Sequence, residues 1–221
     1  RWSQFPLVSI SDHQRTPMSW ANWWQTIHHG MPSSLLLPPM QPRGDYLAFL
    51  GRISPEKRPD RAIEIARSAG LPLRIAAKVD VADKRYFHET IEPRLASGGV
   101  EFIGEIDDAG KPEFLGNAAA LLFPIDWPEP FGLVMIEAMA CGTPVIAWRE
   151  GSVPEVVDEG QTGFIVDSIE EGVAAVGRCR DLNRTDVRRH FERRFDVNRM
   201  AADYEDLYLR MAEGTPRRLK A

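Results

Sequence analysis

Between residues 46 and 166, short apolar blocks alternate with stretches in which apolar positions recur every three or four residues. Blocks at 46–50, 73–77, 100–103, 120–123, 144–148 and 163–166 are too short for helices, and most lack the polar alternation of a half-exposed strand. They read as strands buried on both faces. After Pro59, Ala62, Ile63, Ala66 and Ala69 fall on one helical face, and Gly70 marks the end of that helix. A longer helix is expected over 82–96, bent or shortened by Pro93. Residues 133–140 form a short apolar helix closed by Cys141-Gly-Thr-Pro144, and Ser152-Val-Pro-Glu155 reads as a capping box opening another. Strands separated by helices of this length predict an α/β fold: a Rossmann-like parallel sheet with helices on both faces. Ligands of such sheets sit beyond the carboxyl ends of the strands, so the loops after the strands are where chemistry is expected.

Two flanks stand outside that alternation. Residues 1–43 hold short apolar stretches at 7–10 and 24–27, then a proline-rich run over 32–42, expected to be the end of a neighbouring unit and a hinge. The alternating domain is assigned to 44–194. Residues 195–221 are set off as a terminal helix, from about Val197 to Met211, and a basic tail, Gly214 to Ala221, expected to fray. The chain opens on Arg1 rather than Met, as expected of a piece of a longer protein.

Composition narrows the function classes. The chain has 221 residues, 43% hydrophobic and 27% charged, enough apolar material for one sizeable core. A net charge of -5 argues against a dedicated nucleic-acid binder but leaves room for a local basic pocket that takes a phosphorylated small molecule. Two cysteines, Cys141 and Cys179, build neither a disulfide framework nor a zinc site, so a reducing, cytoplasmic home is expected. No apolar run approaches the roughly 18 residues of a membrane helix, and no signal peptide opens the chain.

Three segments carry candidate chemistry. In the first, a strand ends at Gly51 and two cations follow, Arg52 and Lys57. Glycine lets a ligand approach the backbone, a guanidinium grips phosphate as a planar fork and an ammonium adds a point charge. The plain alternative is a pair of surface cations on a turn. The second is Trp127-Pro-Glu-Pro-Phe-Gly-Leu-Val-Met-Ile-Glu137. Pro128 and Pro130 stiffen the backbone around Glu129, and the amides of Phe131, Gly132 and Leu133 at a helix start make an anion site. Glu137, on that helix, suits sugar hydroxyls because a carboxylate accepts two hydrogen bonds. The alternatives are a solvated loop residue for Glu129 and a dipole partner for Glu137. Helical rise separates the two glutamate backbones by roughly 10 Å, against about 5 Å between the carboxyls of a retaining glycoside hydrolase. The third is Gly104-Glu-Ile-Asp-Asp-Ala-Gly-Lys111, where Asp107 or Asp108 is expected to cap the next helix, or Ile106 to meet a nucleobase with Asp108 or Lys111 at its edge. No metal site is expected, because Glu129 and Glu137 lack histidine or aspartate partners at ligand spacing. No Gly-x-Gly-x-x-Gly follows a strand, which sets aside a dinucleotide-dependent dehydrogenase.

The order of these motifs, followed by Gly142-Thr-Pro-Val-Ile-Ala147, resembles the nucleotide-sugar-binding C-terminal domain of retaining GT-B glycosyltransferases, the glycosyl transferases group 1 or family four, over about Asp45 to Met211. The resemblance implies transfer of a sugar from a nucleotide-diphosphate sugar to an acceptor (a sugar, a lipid or a small molecule) with retention of configuration and no cofactor or metal. By the same resemblance, Arg52, Lys57 and Glu129 carry the chemistry. Arg52 and Lys57 would bind the donor diphosphate beside Gly51, and the amides of Phe131, Gly132 and Leu133 its distal phosphate. Glu137 would bond the ribose, Glu129 would face the transferred sugar, and Ile106 with the Asp108 and Lys111 region would receive the base. Ala77 stands where the family often has a glycine before the lysine, so Lys78 receives no role. Members of this family have two domains with the active site between them. This chain is therefore expected to bind donor and to be inactive alone, with its N-terminal domain missing. The terminal helix would cross toward that domain, and any peripheral membrane contact would run through it. Trp20, Trp23, Trp24 and the last helix are expected to expose apolar surface that it covers. Two other readings are a GT-B epimerase or phosphorylase, and a non-catalytic nucleotide-binding module.

Overall fold

The computed structural model describes residues 4–213; the expectation for the basic tail lies outside the described residues. Two short strands, β1 (Leu7–Ser9) and β2 (Trp23–Thr26), pair in parallel as a small separate sheet. The main sheet is built from β3 (Tyr46–Arg52), β4 (Leu73–Lys78), β5 (Val100–Gly104), β6 (Ala118–Phe123), β7 (Val145–Trp148) and β8 (Gly163–Val166). Its order is β5-β4-β3-β6-β7-β8, every neighbouring pair is parallel, and the expected fold class is the one observed.

Period-two alternation inside these buried strands divides the core between two faces. Leu47, Phe49, Leu122, Ile146 and Phe164 pack against α1 (Pro59–Ser68) and α7 (Ile169–Cys179). Tyr46, Ala48, Leu121, Phe123, Val145 and Ala147 pack against α4 (Lys111–Gly116), α5 (Leu133–Ala140) and α8 (Arg184–Phe195). A last helix, α9 (Val197–Ala212), follows α8 directly. No helix of the described residues is long and apolar enough to cross a membrane. Cys141 and Cys179 are free and buried, and burial pushes both thiols up to about 12.

The helix expected over 82–96 is broken into pieces. A 3-10 turn at Val81–Asp83 leads to α2 (Lys84–Tyr86), a π-helical turn at Phe87–Ile91 and α3 (Glu92–Leu95). Pro93 has no N–H to bond back and its ring crowds the carbonyl one turn earlier; the widened turn just before it relieves both.

The capping box at Ser152 does not form, although the helix does, as α6 (Val153–Val156). Ser152 has φ -80° and ψ -1°, not the extended backbone of a capping residue, and its hydroxyl donates to the carbonyl of Phe131 at 2.9 Å. Glu155 instead reaches the N-terminal segment: its carboxylate accepts the amides of Asp12 at 2.7 Å and His13 at 2.8 Å and bonds His28 Nε2 at 3.1 Å. Arg188 adds guanidinium bonds to the carbonyls of Ser33 and Leu36, and Arg199 to those of His28 and His29. Residues 12–36 are thus tied to α6, α8 and α9 by polar bonds. Of the tryptophans expected at an open surface, Trp20 is exposed, Trp24 half-buried and Trp23 buried, with Trp23 Nε1 donating to the Met18 carbonyl; Tyr208 and Leu209 of α9 are exposed.

Burial raises the Glu155 carboxyl, but the His28 side chain and the two amides outweigh it, and its pKa stands below the ordinary value of 4.5. A depressed carboxylate stabilises above its unfolded value and loses that contribution as pH falls through the folded one. Mild acid is therefore expected to release residues 12–28 before the main sheet unfolds. Hydrogen exchange should show their protection falling below about pH 4.5 while that of β3 and β6 persists, and Glu155→Gln should reproduce the loss at neutral pH.

Candidate active site

Strand order reverses between β3 and β6, so the loops leaving their carboxyl ends diverge and leave a crevice. A cavity of about 200 Å³ opens there, lined by Gly51 and Lys57 after β3 and by Phe123, Glu129, Gly132 and Leu133 after β6. The two loops are clamped together. The amide of Asp126 donates to the carbonyl of Glu56 at 2.8 Å, Arg58 bonds Asp126 at 2.9 Å, and Arg61 donates to the carbonyls of Pro124 and Ile125. Arg58 has φ 52°, and among the described residues it is the non-glycine position with positive φ. Such strain persists where surrounding contacts over-determine the backbone.

Lys57 places its ammonium against Glu129 Oε2, 4.9 Å from the centre of the Trp127 ring. Glu129 is set by a tight turn across Pro128, in which its amide bonds the carbonyl of Trp127 at 2.8 Å. From behind, the loop after β7 supports it: the amide of Ser152 donates to the Glu129 carbonyl at 3.0 Å, and a Cβ on Gly151 would stand 2.3 Å from that oxygen. At the start of α5, Gly132 has φ 79°, and a Cβ there would press within 2.7 Å of the Met135 methyl. The amides of Gly132, Leu133 and Val134 have no hydrogen-bond partner among the described residues, as expected of a helix start that faces a cavity. One ammonium, paired with a carboxylate, and the free amides of a helix start thus face a single cavity at the strand switch; the amides and the ammonium are the groups there suited to an anion.

Similarity to known sequences places the chain in a family. The sequence profile described as "Glycosyl transferases group 1" covers residues 40–179, more than half of the chain. The chain belongs to this family. Among its curated relatives, D-inositol 3-phosphate glycosyltransferase of Rhodococcus erythropolis is 37% identical over 129 residues, covering 54% of this chain and 29% of the relative. D-inositol 3-phosphate glycosyltransferase 2 of Catenulispora acidiphila is 29% identical over 195 residues, covering 79% of this chain and 45% of the relative. The chain thus spans less than half the length of either. In structure it resembles AviGT4, a glycosyltransferase involved in avilamycin A biosynthesis, with a TM-score of 0.80 and 25% identity, covering 94% of this chain and 64% of that one. It shares its fold with Anabaena Alr3699/HepE in complex with UDP and glucose, at a TM-score of 0.76 and 19% identity over 91% of this chain and 62% of that one. The sheet and helices are those of the GT-B glycosyltransferases.

Not every residue singled out in the group 1 motifs meets in the cavity. Gly51, Lys57, Glu129, Gly132 and Leu133 do. At Gly51 a Cβ would meet only the Phe49 ring, at 4.0 Å, so the absent side chain keeps the mouth open. Arg52 does not line the cavity: its guanidinium lies against Glu56 and within 3.8 Å of Asp80 and 3.6 Å of Asp83. The Glu56 bond, opposed by burial and aided by the charges of Asp83 and Asp80, raises its pKa further. The Phe131 side chain turns into the core, against His29 and Phe195, and only its backbone faces the loop.

Glu137, Lys111 and Asp108 form a second group. Lys111 Nζ stands 2.9 Å from Glu137 Oε1 and 2.9 Å from Asp108 Oδ1. Burial pulls the Lys111 ammonium down, but the two carboxylates more than offset it and hold its pKa above the lysine value. Of the two aspartates expected to cap the next helix, Asp107 does so at the turn that leads into α4, whose regular part begins after Gly110. Asp107 accepts the amide of Gly110 on its side chain at 3.0 Å and that of Lys111 on its carbonyl at 3.3 Å, while Asp108 is spent on Lys111. Ile106 is half-buried beside this loop, and Lys78 is paired with Asp80 at 2.8 Å.

Sequence reading missed Trp127, whose Nε1 donates to Glu129 Oε2 at 3.1 Å, and the Gly151-Ser152 support. The first leaves a trace, a tryptophan two residues before the glutamate across a proline. The second leaves none. A larger cavity of about 580 Å³, near Gly160, Asn183 and His190, lies before the start of β8, at the opposite ends of the strands from this site.

Proposed function

We propose that this chain is the donor-binding half of a retaining glycosyltransferase, which takes a sugar from a nucleotide-diphosphate sugar to an acceptor held by a further domain. The observation that carries this is the convergence of Lys57, Glu129 and the free amides at the start of α5 on one cavity between β3 and β6. In the proposed reaction the bond from the anomeric carbon to the diphosphate oxygen breaks, charge grows on the diphosphate, and the sugar becomes oxocarbenium-like. Lys57, turned from Glu129 to the diphosphate, and the amides of Phe131, Gly132 and Leu133 stabilise that growing charge. Arg52, held by three carboxylates at the end of β3, has its charge compensated and plays the smaller part of the two cations. Glu129 faces the sugar. Glu137 accepts the ribose hydroxyls, held in place by Lys111, which also ties it to the base-side loop through Asp108. Ile106 offers the base an apolar face. No cofactor is required, because fixed cations and helix amides serve the leaving group, and with its acceptor half elsewhere the chain alone binds donor without transferring it.

A melting screen with UDP-, GDP- and ADP-sugars and their free diphosphates tests this. A ligand present at 100 times its dissociation constant stabilises by about 2.7 kcal/mol, about 5–10 °C for a chain of this size. At least one nucleotide series is expected to raise the melting temperature by that amount. A flat response to the whole series overturns the reading.

A further inference from the structure

The Glu129 carboxylate uses one of its oxygens twice. Oε2 takes both the Lys57 ammonium and the indole N–H of Trp127, while Oε1 has no hydrogen-bond partner among the described residues. Lys57 also stands over the Trp127 ring, 4.9 Å from its centre, within reach of a cation–π contact. One half-buried indole therefore touches both members of the ion pair. The two donors differ in what a ligand does to them. A diphosphate carries more negative charge than a single carboxylate and competes for the ammonium, which sits on a flexible stem. An indole N–H is neutral, donates only, and is anchored by a rigid ring.

We propose that Trp127 is a positioning residue: it holds Glu129, with Oε1 turned to the transferred sugar, when Lys57 turns from Glu129 to the donor diphosphate. The proposal rests on the reading of this cavity as a nucleotide-sugar site. Without the indole, phosphate binding would take from the side chain of Glu129 the one partner left to it. That side chain is 13% exposed, and its unpartnered carboxylate would then swing outward toward water. With the indole in place, Oε2 stays bonded and Oε1 is free to accept a sugar hydroxyl.

Trp127→Phe removes the N–H and keeps a smaller ring face for Lys57. Affinities are measured by calorimetry for UDP-glucose, GDP-mannose and ADP-glucose, each beside its free diphosphate, using the pair that wild type binds tightest. The variant is expected to lose about tenfold in affinity for the nucleotide sugar, the loss of one hydrogen bond to a charged group, and to hold the free diphosphate within about twofold. Equal losses for both ligands, or no loss for either, overturn the proposal while leaving the site reading intact. Failure of wild type to bind any member overturns the site reading and the ligand half of the proposal together. The hydrogen bond has its own readout. The Trp127 indole cross-peak in a 15N-HSQC spectrum, assigned by its absence in Trp127→Phe, is expected to move upfield in Glu129→Ala and to move less in Lys57→Ala. An unmoved peak in Glu129→Ala overturns the geometry.

Discussion

Gly151→Ala is expected to lower stability by about 2–4 kcal/mol, a fall of about 5–15 °C in melting temperature, and to disable the site. Two effects combine. Gly151 has φ 58°, where any side chain costs about 1–2 kcal/mol. A Cβ would also stand 2.3 Å from the carbonyl oxygen and 2.4 Å from the nitrogen of Glu129, which is backbone and has little room to give. The loop over 128–132 would have to move, and it carries Glu129 and the start of α5. Gly160→Ala supplies the control: φ is 72°, but nothing stands within 4 Å of the added methyl. It should show only the backbone part, about 1–2 kcal/mol, with ligand binding intact. Equal effects of the two substitutions in thermal melts would mean that the close approach to Glu129 carries no energetic weight.

Lys57→Ala is expected to weaken binding of the free nucleoside diphosphate on the order of 10–100-fold, the loss of a charge-assisted bond to phosphate. Arg52→Ala is expected to cost only about threefold, because three carboxylates already compensate its charge and its guanidinium does not line the cavity. From spacing alone the two cations look equivalent; their surroundings separate them. Titration calorimetry of both variants against the same diphosphate decides it. A larger loss in Arg52→Ala would place the phosphates at the end of β3 rather than over Lys57, and would require the guanidinium to leave Glu56 when ligand arrives. In a chain able to transfer sugar, Lys57→Ala should also lower kcat, by about 10²–10³-fold, since the ammonium faces charge that develops as the bond breaks.

Local pattern made some of this protein readable. Strands such as 163–166 and the helix over 133–140 follow from apolar blocks bounded by glycine and proline, because a run buried on both faces leaves the backbone few alternatives. The parallel sheet follows from strands alternating with helices, and the site's address at the strand ends follows from the sheet. Gly51, Lys57, Glu129 and Gly132 were legible as cavity-lining positions for the same reason: each lies at a strand end or within nine residues after one, or at the start of the helix that follows.

Other features depended on segments that meet only in three dimensions. Ser152 and Glu155 have the spacing of a capping box, yet Ser152 bonds Phe131 and Glu155 bonds residues 12, 13 and 28, because folded neighbours offered better partners than the local turn. Arg52 met Asp80 and Asp83, close to 30 residues on, because β3 and β4 lie side by side. Lys111 met Glu137 across the space between α4 and α5. By itself the sequence determined the parallel sheet, the order of its elements along the chain and the loops that line the cavity, since these rest on backbone preference and burial over short stretches. Which cation faces the cavity, which donors hold Glu129 and what props its loop from behind were decided by tertiary structure, since hydrogen bonds and ion pairs act over a few ångströms and take whatever partner the fold brings into that range.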